Sequence, residues 1–324
     1  MSCVMATLVY LTCREEPAFE WFADSLTAQL DPGDDVELIV VDGAHSGERG
    51  ERFARAVAGR APLRHVAAKP SPYNGVCRLT RRNFFAAASA RNTGLVYARA
   101  PYVIFVDDAC VLAKGWWRAA REAVASGRVV SGAYRKDWGM EVARGVLISS
   151  RAHSGLDSRW AQGDDSCPVR VPGGQLFGAS IGAPREVLLQ VNGFDELCDS
   201  IGGEDWQLGV RLEFAGVPIY YERRMLSVES EELHRHGTPF ARIDRTLPAA
   251  AYRQRLAEFG ISRRRVPGAC DSSHMLLDVA FGTESAQTQG NYYWLADLTE
   301  ATLAATTQRF PRTHWFDRRP LAHL

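Results

Sequence analysis

The alternation of short, almost wholly apolar runs with amphipathic stretches in the first third of the chain is the feature that most constrains the fold. The predicted strands are residues 5–11, 36–41, 63–66 and 102–106, and the predicted helices between them are residues 16–30, 50–59 and 83–98. Strands that are buried on both faces and joined by helices belong to parallel sheets covered on both sides. The sequence therefore predicts an α/β fold with ligand chemistry at the carboxyl ends of its strands.

The middle of the chain is less regular. Residues 133–175 are rich in Gly, Ser, Arg and Asp without a clear period, which predicts long loops over a site. Order resumes at residues 176–181, and helices at 184–191 and 205–215 and a strand at 217–221 are predicted to follow.

The pattern changes again at about residue 226. A polar stretch is followed by helical segments near 249–259 and 295–306. We therefore predict a main domain at 1–225, with halves at about 1–112 and 113–225. Residues 226–324 are predicted to form a helical C-terminal appendage packed on this core.

Composition excludes several classes of protein. Hydrophobic residues make up 46% of the 324 residues, which is enough for a sizeable core. Lys and Arg total 38, as do Asp and Glu, so the chain lacks the positive charge of a general polyanion binder. The seven cysteines are scattered without a C-x-x-C pair, as expected of reduced thiols in a cytoplasmic protein. No run approaches the roughly 18 to 20 apolar residues of a membrane span, and the apolar start has the flanks of a strand rather than of a signal peptide.

Two adjacent carboxylates, Asp107 and Asp108, follow the apolar run at 102–106. Burying unpaired charge at a strand end is unfavourable unless water or a cation compensates for it. Oxygen ligands of this kind suit Mg²⁺ or Mn²⁺, with phosphate oxygens completing the shell. The pair therefore indicates a metal site, and the alternative is a solvated turn that caps a helix.

A second acidic pair, Glu204 and Asp205, follows two glycines and opens a predicted helix. Glycines let the backbone approach a ligand closely, and the helix dipole stabilises negative charge at this end. One of the two carboxylates could therefore serve as a general base. The alternative is ordinary capping of the helix that follows.

Both acidic pairs occur in one order with other segments: residues 8–15, residues 38–46, an Ala-Arg-Asn-x-Gly motif at 90–94, and residues 178–181 with 191–196. In this order the chain resembles the nucleotide-sugar-dependent glycosyltransferases with the GT-A fold, in particular the inverting enzymes of family 2. The resemblance covers about residues 5–225. It implies a Rossmann-like, mixed and mainly parallel sheet flanked by helices. It also implies transfer of a sugar from a nucleotide diphosphate sugar, most simply a UDP-sugar, to an acceptor hydroxyl.

The resemblance implies a role for each matching residue of the nucleotide-sugar half. Asp42 would hydrogen-bond the nucleotide base, and Arg91 would lie near the ribose or the diphosphate. Asp107 would contact the ribose or the sugar, and it and Asp108 are the candidate ligands of a Mn²⁺ or Mg²⁺ ion that bridges the diphosphate. The loop that lines the nucleoside pocket would contain Thr12, Arg14 and Glu15.

In the acceptor half, the resemblance implies that Asp205 is the catalytic base and that Glu204 positions a sugar or acceptor hydroxyl. A carboxylate takes the proton from the acceptor hydroxyl as its oxygen attacks the anomeric carbon, while a cation stabilises the departing diphosphate. Attack from the opposite face inverts the anomeric configuration. Trp206, beside the base, could stack on a sugar face, and the alternative is packing in the core.

The chain departs from the family pattern at two positions. Ala109 stands where the second aspartate of Asp-x-Asp holds the metal, and Gly43 stands where a second aspartate commonly follows Asp42. His234 and His236 could supply the missing ligand, because an i, i+2 pair on an extended segment faces one way. The alternative is two exposed loop histidines.

The sequence leaves the acceptor open between a glycan, a small molecule and modified DNA. Arginine clusters at 78–82 and 263–265 suggest a DNA glycosyltransferase that acts on hydroxymethylated pyrimidine bases, whereas the equal charge counts argue against it. A further alternative is a degenerate protein that binds a sugar nucleotide without transferring the sugar, since Ala109 replaces a metal ligand.

Overall fold

The computed structural model describes residues 5–69, 86–196, 203–236, 295–301 and 303. These residues form one ten-stranded mixed sheet with helices on both faces. The strands are β1 (Ala6–Thr12), β2 (Val36–Asp42), β3 (Leu63–Ala67), β4 (Tyr102–Asp107), β5 (Cys110–Leu112), β6 (Val129–Ala143), β7 (Val146–Leu156), β8 (Val169–Val171), β9 (Ser180–Pro184) and β10 (Ile219–Ser230). The helices are α1 (Phe19–Thr27), α2 (Gly47–Val57), α3 (Ala87–Tyr97), α4 (Trp116–Ser126), α5 (Arg185–Gln190), α6 (Glu204–Phe214) and α7 (Glu231–His236).

Four parallel strands form the part of the sheet that the apolar runs predict. Their order is β3-β2-β1-β4, with α1, α2 and α3 in the connections. Beyond β4 the order continues β9-β6-β10-β5, and β9 runs antiparallel to both of its neighbours. β7 pairs with β6 and β8 pairs with β10. The predicted α/β fold with a mixed sheet flanked by helices is confirmed, and antiparallel pairs enter only after β4.

Alternate side chains of the parallel strands supply two separate apolar cores. In β1, Leu8 and Tyr10 pack with α1, α2 and α4, whereas Val9 and Leu11 pack with α3, α5 and α6. Successive side chains of a strand point to opposite faces of the sheet. Because helices cover both faces, every position of β1 and β2 and all but the last of β4 are buried, which explains why these runs are mostly apolar. The edge strand β3 is only partly buried.

Helix α3 approaches the sheet closely at Gly94, the glycine of the Ala-Arg-Asn-x-Gly motif. A methyl group added at Gly94 would lie 2.3 Å from Cγ1 of Val9, well inside van der Waals contact. The missing side chain therefore lets α3 lie directly on β1. This contact also fixes the depth at which Arg91, one helical turn earlier, is buried.

The prediction of long loops at residues 133–175 is wrong for their first part, where β6 and β7 form a long antiparallel hairpin. Residues 148–153 of β7 are all exposed, so neither face of this strand carries an apolar alternation. A polar segment without this alternation is typical of a loop, which is why its sequence does not indicate a strand. Between β7 and β9 the chain does form turns and the short β8.

A buried arginine holds these turns against the sheet. Arg159 donates hydrogen bonds to the hydroxyl of Ser131 at 2.6 Å and to the carbonyl of Gln175 at 2.9 Å. Its guanidinium lies 4.3 Å and 4.4 Å from the ring centres of Phe177 and Tyr221. The buried carboxylate of Asp157, 3.1 Å away, compensates for the charge of the cation together with these hydrogen bonds and the two aromatic faces. The loop that leads to Gly178 therefore has a fixed position.

Strand β10 runs through the predicted boundary at 225. It pairs with β5 and with β6, with a bulge between Glu222 and Ser227. The prediction ended this strand at 221 because charged residues follow. In the structure Arg224 forms an ion pair of 2.7 Å with the buried Glu222, which compensates for the charge inside the sheet. Residues 226–230 consequently belong to the sheet.

The described C-terminal residues also pack on the main fold. Leu295 and Leu303 are buried in the core that contains α3, and Glu300 forms an ion pair of 2.6 Å with Arg64 of β3. The helix predicted near 249–259 and the end of that predicted at 295–306 lie outside the described residues. The extent of the predicted appendage stays a prediction.

None of the helices in the described ranges has the length and apolarity to cross a bilayer. Three cysteines, Cys13, Cys110 and Cys167, lie in these ranges, and no disulfide joins any two of them. The other four cysteines lie outside the described residues, and the reduced state of the cysteines stays a prediction.

Replacing Gly94 with Ala is expected to lower the free energy of unfolding by about 1–3 kcal/mol, because the added methyl group overpacks the contact with Val9. The better helix propensity of Ala offsets at most about 1 kcal/mol of this loss. Denaturant unfolding measures the change. The matched control is Gly47→Ala in α2, where a methyl group meets nothing within 4 Å. Equal loss of stability in both variants would contradict the close approach of α3 to β1.

Candidate active site

The carboxyl ends of β1, β2 and β4 lie side by side and bring predicted residues together. Thr12 at the end of β1 is in register with Asp42 at the end of β2. The preceding residue, Leu11, is in register with Asp107 at the end of β4. Neighbouring strands are about 4.8 Å apart, so these residues border one crevice at the position where open α/β sheets bind ligands.

The guanidinium of Arg91 ties this crevice to the start of α6. Arg91 belongs to α3 and only 2% of its side chain is exposed. Its Nη1 donates to Oε1 of Glu204 at 2.5 Å, and its Nη2 donates to Oδ1 of Asp107 at 2.8 Å. The same guanidinium lies 5.3 Å from the ring centre of Phe194. One buried cation therefore holds the end of β4 next to the first residue of α6.

Asp205 lies beside Glu204, and its carboxylate accepts two backbone hydrogen bonds. Oδ2 accepts from the amide of Gly178 and Oδ1 from the amide of Trp206, both at 2.7 Å. Burial, helped by the charge of Glu204, raises the pKa of Asp205 to about 7, against the opposing influence of Arg91. A carboxylate with a pKa near neutrality is well suited to accept a proton from a hydroxyl.

Asn92, next to Arg91 in the motif, forms hydrogen bonds with the turn at residues 194–196. Its Nδ2 donates to the carbonyl of Phe194 at 2.8 Å and to Oε1 of Glu196 at 2.7 Å, and its Oδ1 accepts from the amide of Phe194 at 2.8 Å. Glu196 also forms a buried ion pair of 2.5 Å with Lys69. Two adjacent residues of one motif thus hold the turn at residues 194–196 and the start of α6.

Asp108 is paired with an arginine. Its Oδ2 accepts from the hydroxyl of Thr12 at 2.7 Å and lies 2.8 Å from Nε of Arg14. Arg14 also donates to the carbonyl of Leu233 in α7. Burial raises the pKa of Asp108, while Arg14 and Thr12 oppose the shift. The structure therefore brings Thr12, Arg14 and Asp108 together as partners of one another, and their predicted contacts with a ligand stay predictions.

The carboxylate of Asp42 is likewise paired with basic side chains, those of Arg49 and His65. Arg49 donates from Nε to Oδ2 at 2.7 Å and from Nη2 to Oδ1 at 3.2 Å, and Nε2 of His65 lies 3.0 Å from Oδ2. Burial would raise the pKa of Asp42, but the hydrogen bonds from His65 and Arg49 outweigh it and hold the pKa below its ordinary value. Arg49 also donates to the carbonyls of Arg14 and Glu15 at 2.8 Å. Asp42 therefore supports the predicted nucleoside loop through Arg49, while the side chain of Glu15 is exposed.

The acidic residues assigned to a Mn²⁺ or Mg²⁺ ion do not form a cation site in this arrangement. Asp107 is paired with Arg91 and Asp108 with Arg14. Ala109, at the position of the missing ligand, is 2% exposed. Within the described ranges, no three His, Cys, Asp or Glu side chains group as a metal ion needs. The predicted ion does not fit these donors, since a guanidinium already faces each carboxylate.

The two histidines proposed as replacement ligands belong to α7 and not to an extended segment. The prediction that both imidazoles face one way is wrong for this reason, because residues two apart on a helix do not share a face. His234 is exposed, and its Nε2 lies 3.2 Å from Nζ of Lys136. The side chain of His236 lies outside the described residues.

Two residues at the crevice were missed in the sequence: Glu229 of β10 and Lys136 of β6. They are in register with each other and with Cys110 of β5. Burial raises the pKa of Glu229 to about 8; Lys136 opposes this shift, and the charges of Asp107 and Asp108 add to it. The charged residues at 222–224 hid the continuation of β10. The apolar residues at 226 and 228 are the signal that would have indicated it.

Trp206 packs beside Asp205 on the turn at Gly173–Gln175. A methyl group added at Gly174 would lie 2.8 Å from Nε1 of the indole. The side chain is partly exposed. Packing on this turn accounts for the position of the indole, and its predicted stacking on a sugar stays a prediction.

Comparison with known proteins identifies the family. The model of glycosyl transferase family 2 matches residues 7–180, which is more than half of the chain. No curated protein sequence matches the chain. Among solved structures, S. aureus TarS 1–349 in complex with UDP-GlcNAc is similar in fold, with 15% identity and a TM-score of 0.50, over 76% of this chain and 66% of that chain. S. aureus TarS 1–349 alone has 14% identity and a TM-score of 0.48, over 76% of this chain and 64% of that chain. GalNAc-T7 with UDP, GalNAc and Mn²⁺ has 12% identity and a TM-score of 0.49, over 69% of this chain and 43% of that chain.

The protein thus spans slightly less than two thirds of the TarS chains. At this identity the TarS complex supports the fold alone, whereas the family match covers β1 to β4 and the predicted donor residues from Thr12 to Asp108. The resemblance seen in the sequence is confirmed, and the chain belongs to glycosyl transferase family 2.

Proposed function

We propose that this protein is an inverting glycosyltransferase that moves a sugar from a UDP-sugar to an acceptor hydroxyl, with Asp205 as the general base. The observation that carries the proposal is the link that Arg91 makes between Asp107 at the end of β4 and Glu204 beside Asp205. A donor bound at the carboxyl ends of the parallel strands would lie next to this base. Proximity of the base to the reacting hydroxyl is the first requirement for general base catalysis.

In the proposed reaction the acceptor oxygen forms a bond with the anomeric carbon as the bond from that carbon to the diphosphate oxygen breaks. The hydroxyl proton passes to the carboxylate of Asp205, and the bonding electron pair leaves with the diphosphate. Because attack and departure take place on opposite faces, the anomeric configuration inverts. The amides of Gly178 and Trp206 orient the carboxylate before substrate binds, so little reorganisation accompanies the proton transfer.

Glu204 and Asp107 act as positioning groups in this proposal. Arg91 bonds to one oxygen of each carboxylate, Oε1 and Oδ1. The second oxygen of each can accept a hydrogen bond from a hydroxyl of the sugar or of the acceptor. Arg91 is therefore assigned to the alignment of the two carboxylates rather than to direct contact with the acceptor.

UDP-GlcNAc is the first donor to test, because TarS, which shares the fold, forms a complex with it. The acceptor stays open between a glycan and a small molecule. The cytoplasmic location predicted from the cysteines stays a prediction.

Neither alternative function gains support from the described residues. The arginine clusters at 78–82 and 263–265 that suggested a DNA acceptor lie outside them. A degenerate binding protein has no need of a carboxylate that two backbone amides orient at the start of α6, yet Asp205 has this arrangement. The transferase function is therefore the one we propose.

Replacing Asp205 with Asn is expected to lower the turnover of UDP-GlcNAc by about 100-fold or more, since an amide cannot accept the proton. The affinity for UDP should change by less than about threefold, because no donor contact is assigned to Asp205. Release of UDP, with water or an added acceptor, measures the turnover, and calorimetry measures the affinity.

The matched control is Asp165→Asn. Asp165 is 71% exposed and forms a surface ion pair with Arg223, so this variant should turn over the donor as the wild type does. Wild-type turnover in Asp205→Asn would reject Asp205 as the base.

The kcat/KM of the wild type is expected to fall about tenfold per pH unit below about pH 7, because the base must be ionised and burial raises the pKa of Asp205 to about 7. Above this pH the profile should be level. UDP affinity across the same pH range provides the control for donor binding. An acid limb centred near the ordinary carboxylate value of about 4 would contradict the assignment.

A further inference from the structure

Each carboxylate that a donor-bound cation would need is already paired with an arginine. Nε of Arg14 lies 2.8 Å from Asp108, and Nη2 of Arg91 lies 2.8 Å from Asp107. The two arginine side chains are 6% and 2% exposed. Both cations are thus buried and compensated by carboxylates. They are poorly placed to take up the negative charge of a diphosphate, which grows as the leaving group departs.

Lys136 is a less compensated cation at the same crevice. Its ion-pair partner in the described part of the chain is Glu229, whose Oε2 lies 3.9 Å from Nζ, beyond hydrogen-bond distance. Nε2 of His234 lies 3.2 Å from Nζ and can accept a hydrogen bond from it. The lysine side chain is 23% exposed, so a ligand can reach it.

The sheet places Lys136 close to the two aspartates. Lys136, Glu229 and Cys110 are paired across β6, β10 and β5, and the thiol of Cys110 donates to the carbonyl of Asp107 at 3.2 Å. The α-carbons of Lys136 and Cys110 are two strand spacings apart, about 10 Å. Glu229 lies between Lys136 and Cys110, and the negative charges of Asp107 and Asp108 act on its carboxylate. Side chains in register on neighbouring strands point to one face of the sheet, so Lys136 lies on the face where the thiol of Cys110 contacts the turn at Asp107 and Asp108, with Glu229 between them.

We propose that Lys136, in place of a divalent cation, neutralises the diphosphate of the donor and of the leaving nucleotide. This inference rests on the proposed function, because it names the group that binds the diphosphate of the same donor. An ammonium group is a compact charge with three donors on a flexible stem, which suits phosphate oxygens. Arg14, on Asp108, takes the position that the cation would otherwise share. Donor binding then requires no divalent ion.

Binding of UDP and of uridine to the full chain in excess chelator tests this inference by calorimetry. The wild type should bind UDP at least about tenfold more tightly than uridine, since charge-assisted hydrogen bonds are the strong ones. Lys136→Ala should reduce this preference to less than about threefold, with the affinity for uridine unchanged. Lys136→Arg should restore part of it. Lys136→Gln, which keeps the length without the charge, serves as a second test if the Ala variant unfolds.

The control is Lys114→Ala, at an exposed lysine before α4, which should keep the full preference for UDP. A preference for UDP that appears only after Mn²⁺ is added overturns the inference and leaves the proposed function standing. A Lys136→Ala variant that keeps the full preference for UDP over uridine in chelator also overturns the inference and leaves the proposed function standing. Failure of the wild type to bind either UDP or uridine, with Mn²⁺ or without it, shows instead that the proposed donor is wrong.

Discussion

A buried guanidinium must have its charge compensated by carboxylates, because no water is at hand to solvate it. Arg91 is where this requirement shapes the structure. It belongs to α3, and its partners Asp107 and Glu204 belong to β4 and α6. Removing one partner of a buried pair costs about 3–5 kcal/mol. The three elements are therefore fixed relative to one another, and the close approach of Gly94 to β1 sets the depth of the pair.

The same pairing continues along the edge of the sheet. Arg14 faces Asp108, Arg49 faces Asp42, and Arg49 reaches the carbonyl of Arg14. Acids at the strand ends and arginines from other elements thus form one connected network. A site that is rich in carboxylates is kept locally close to neutral in this way. As a consequence, few of these charged side chains are available to bind a ligand. The charge that binds the donor must then come from residues outside the network, such as Lys136.

Sequence reasoning could predict the parallel half of the fold because burial on both faces leaves a continuous apolar run. The bounds of β1, β2, β3 and β4 agree with prediction to within one residue. Asp42, Asp107 and Asp108 could be predicted because they follow these runs directly, and Glu204 and Asp205 because they follow two glycines at the start of a helix. The pairing of Asp42 and Asp108 with arginines could not be predicted, since the choice of partner has no period in the sequence. The β6–β7 hairpin and the second half of β10 were missed because exposure in one case, and a local ion pair in the other, removed the apolar alternation.

Residues 226–233 form the end of β10 and the start of α7, and they hold the donor loop at the same time. β10 supplies the partner strand of β5, and the carbonyl of Leu233 accepts a hydrogen bond from Arg14. The region after residue 225 can therefore not be exchanged as an independent module. Recombination at this point would remove both a strand partner and the anchor of the loop after β1.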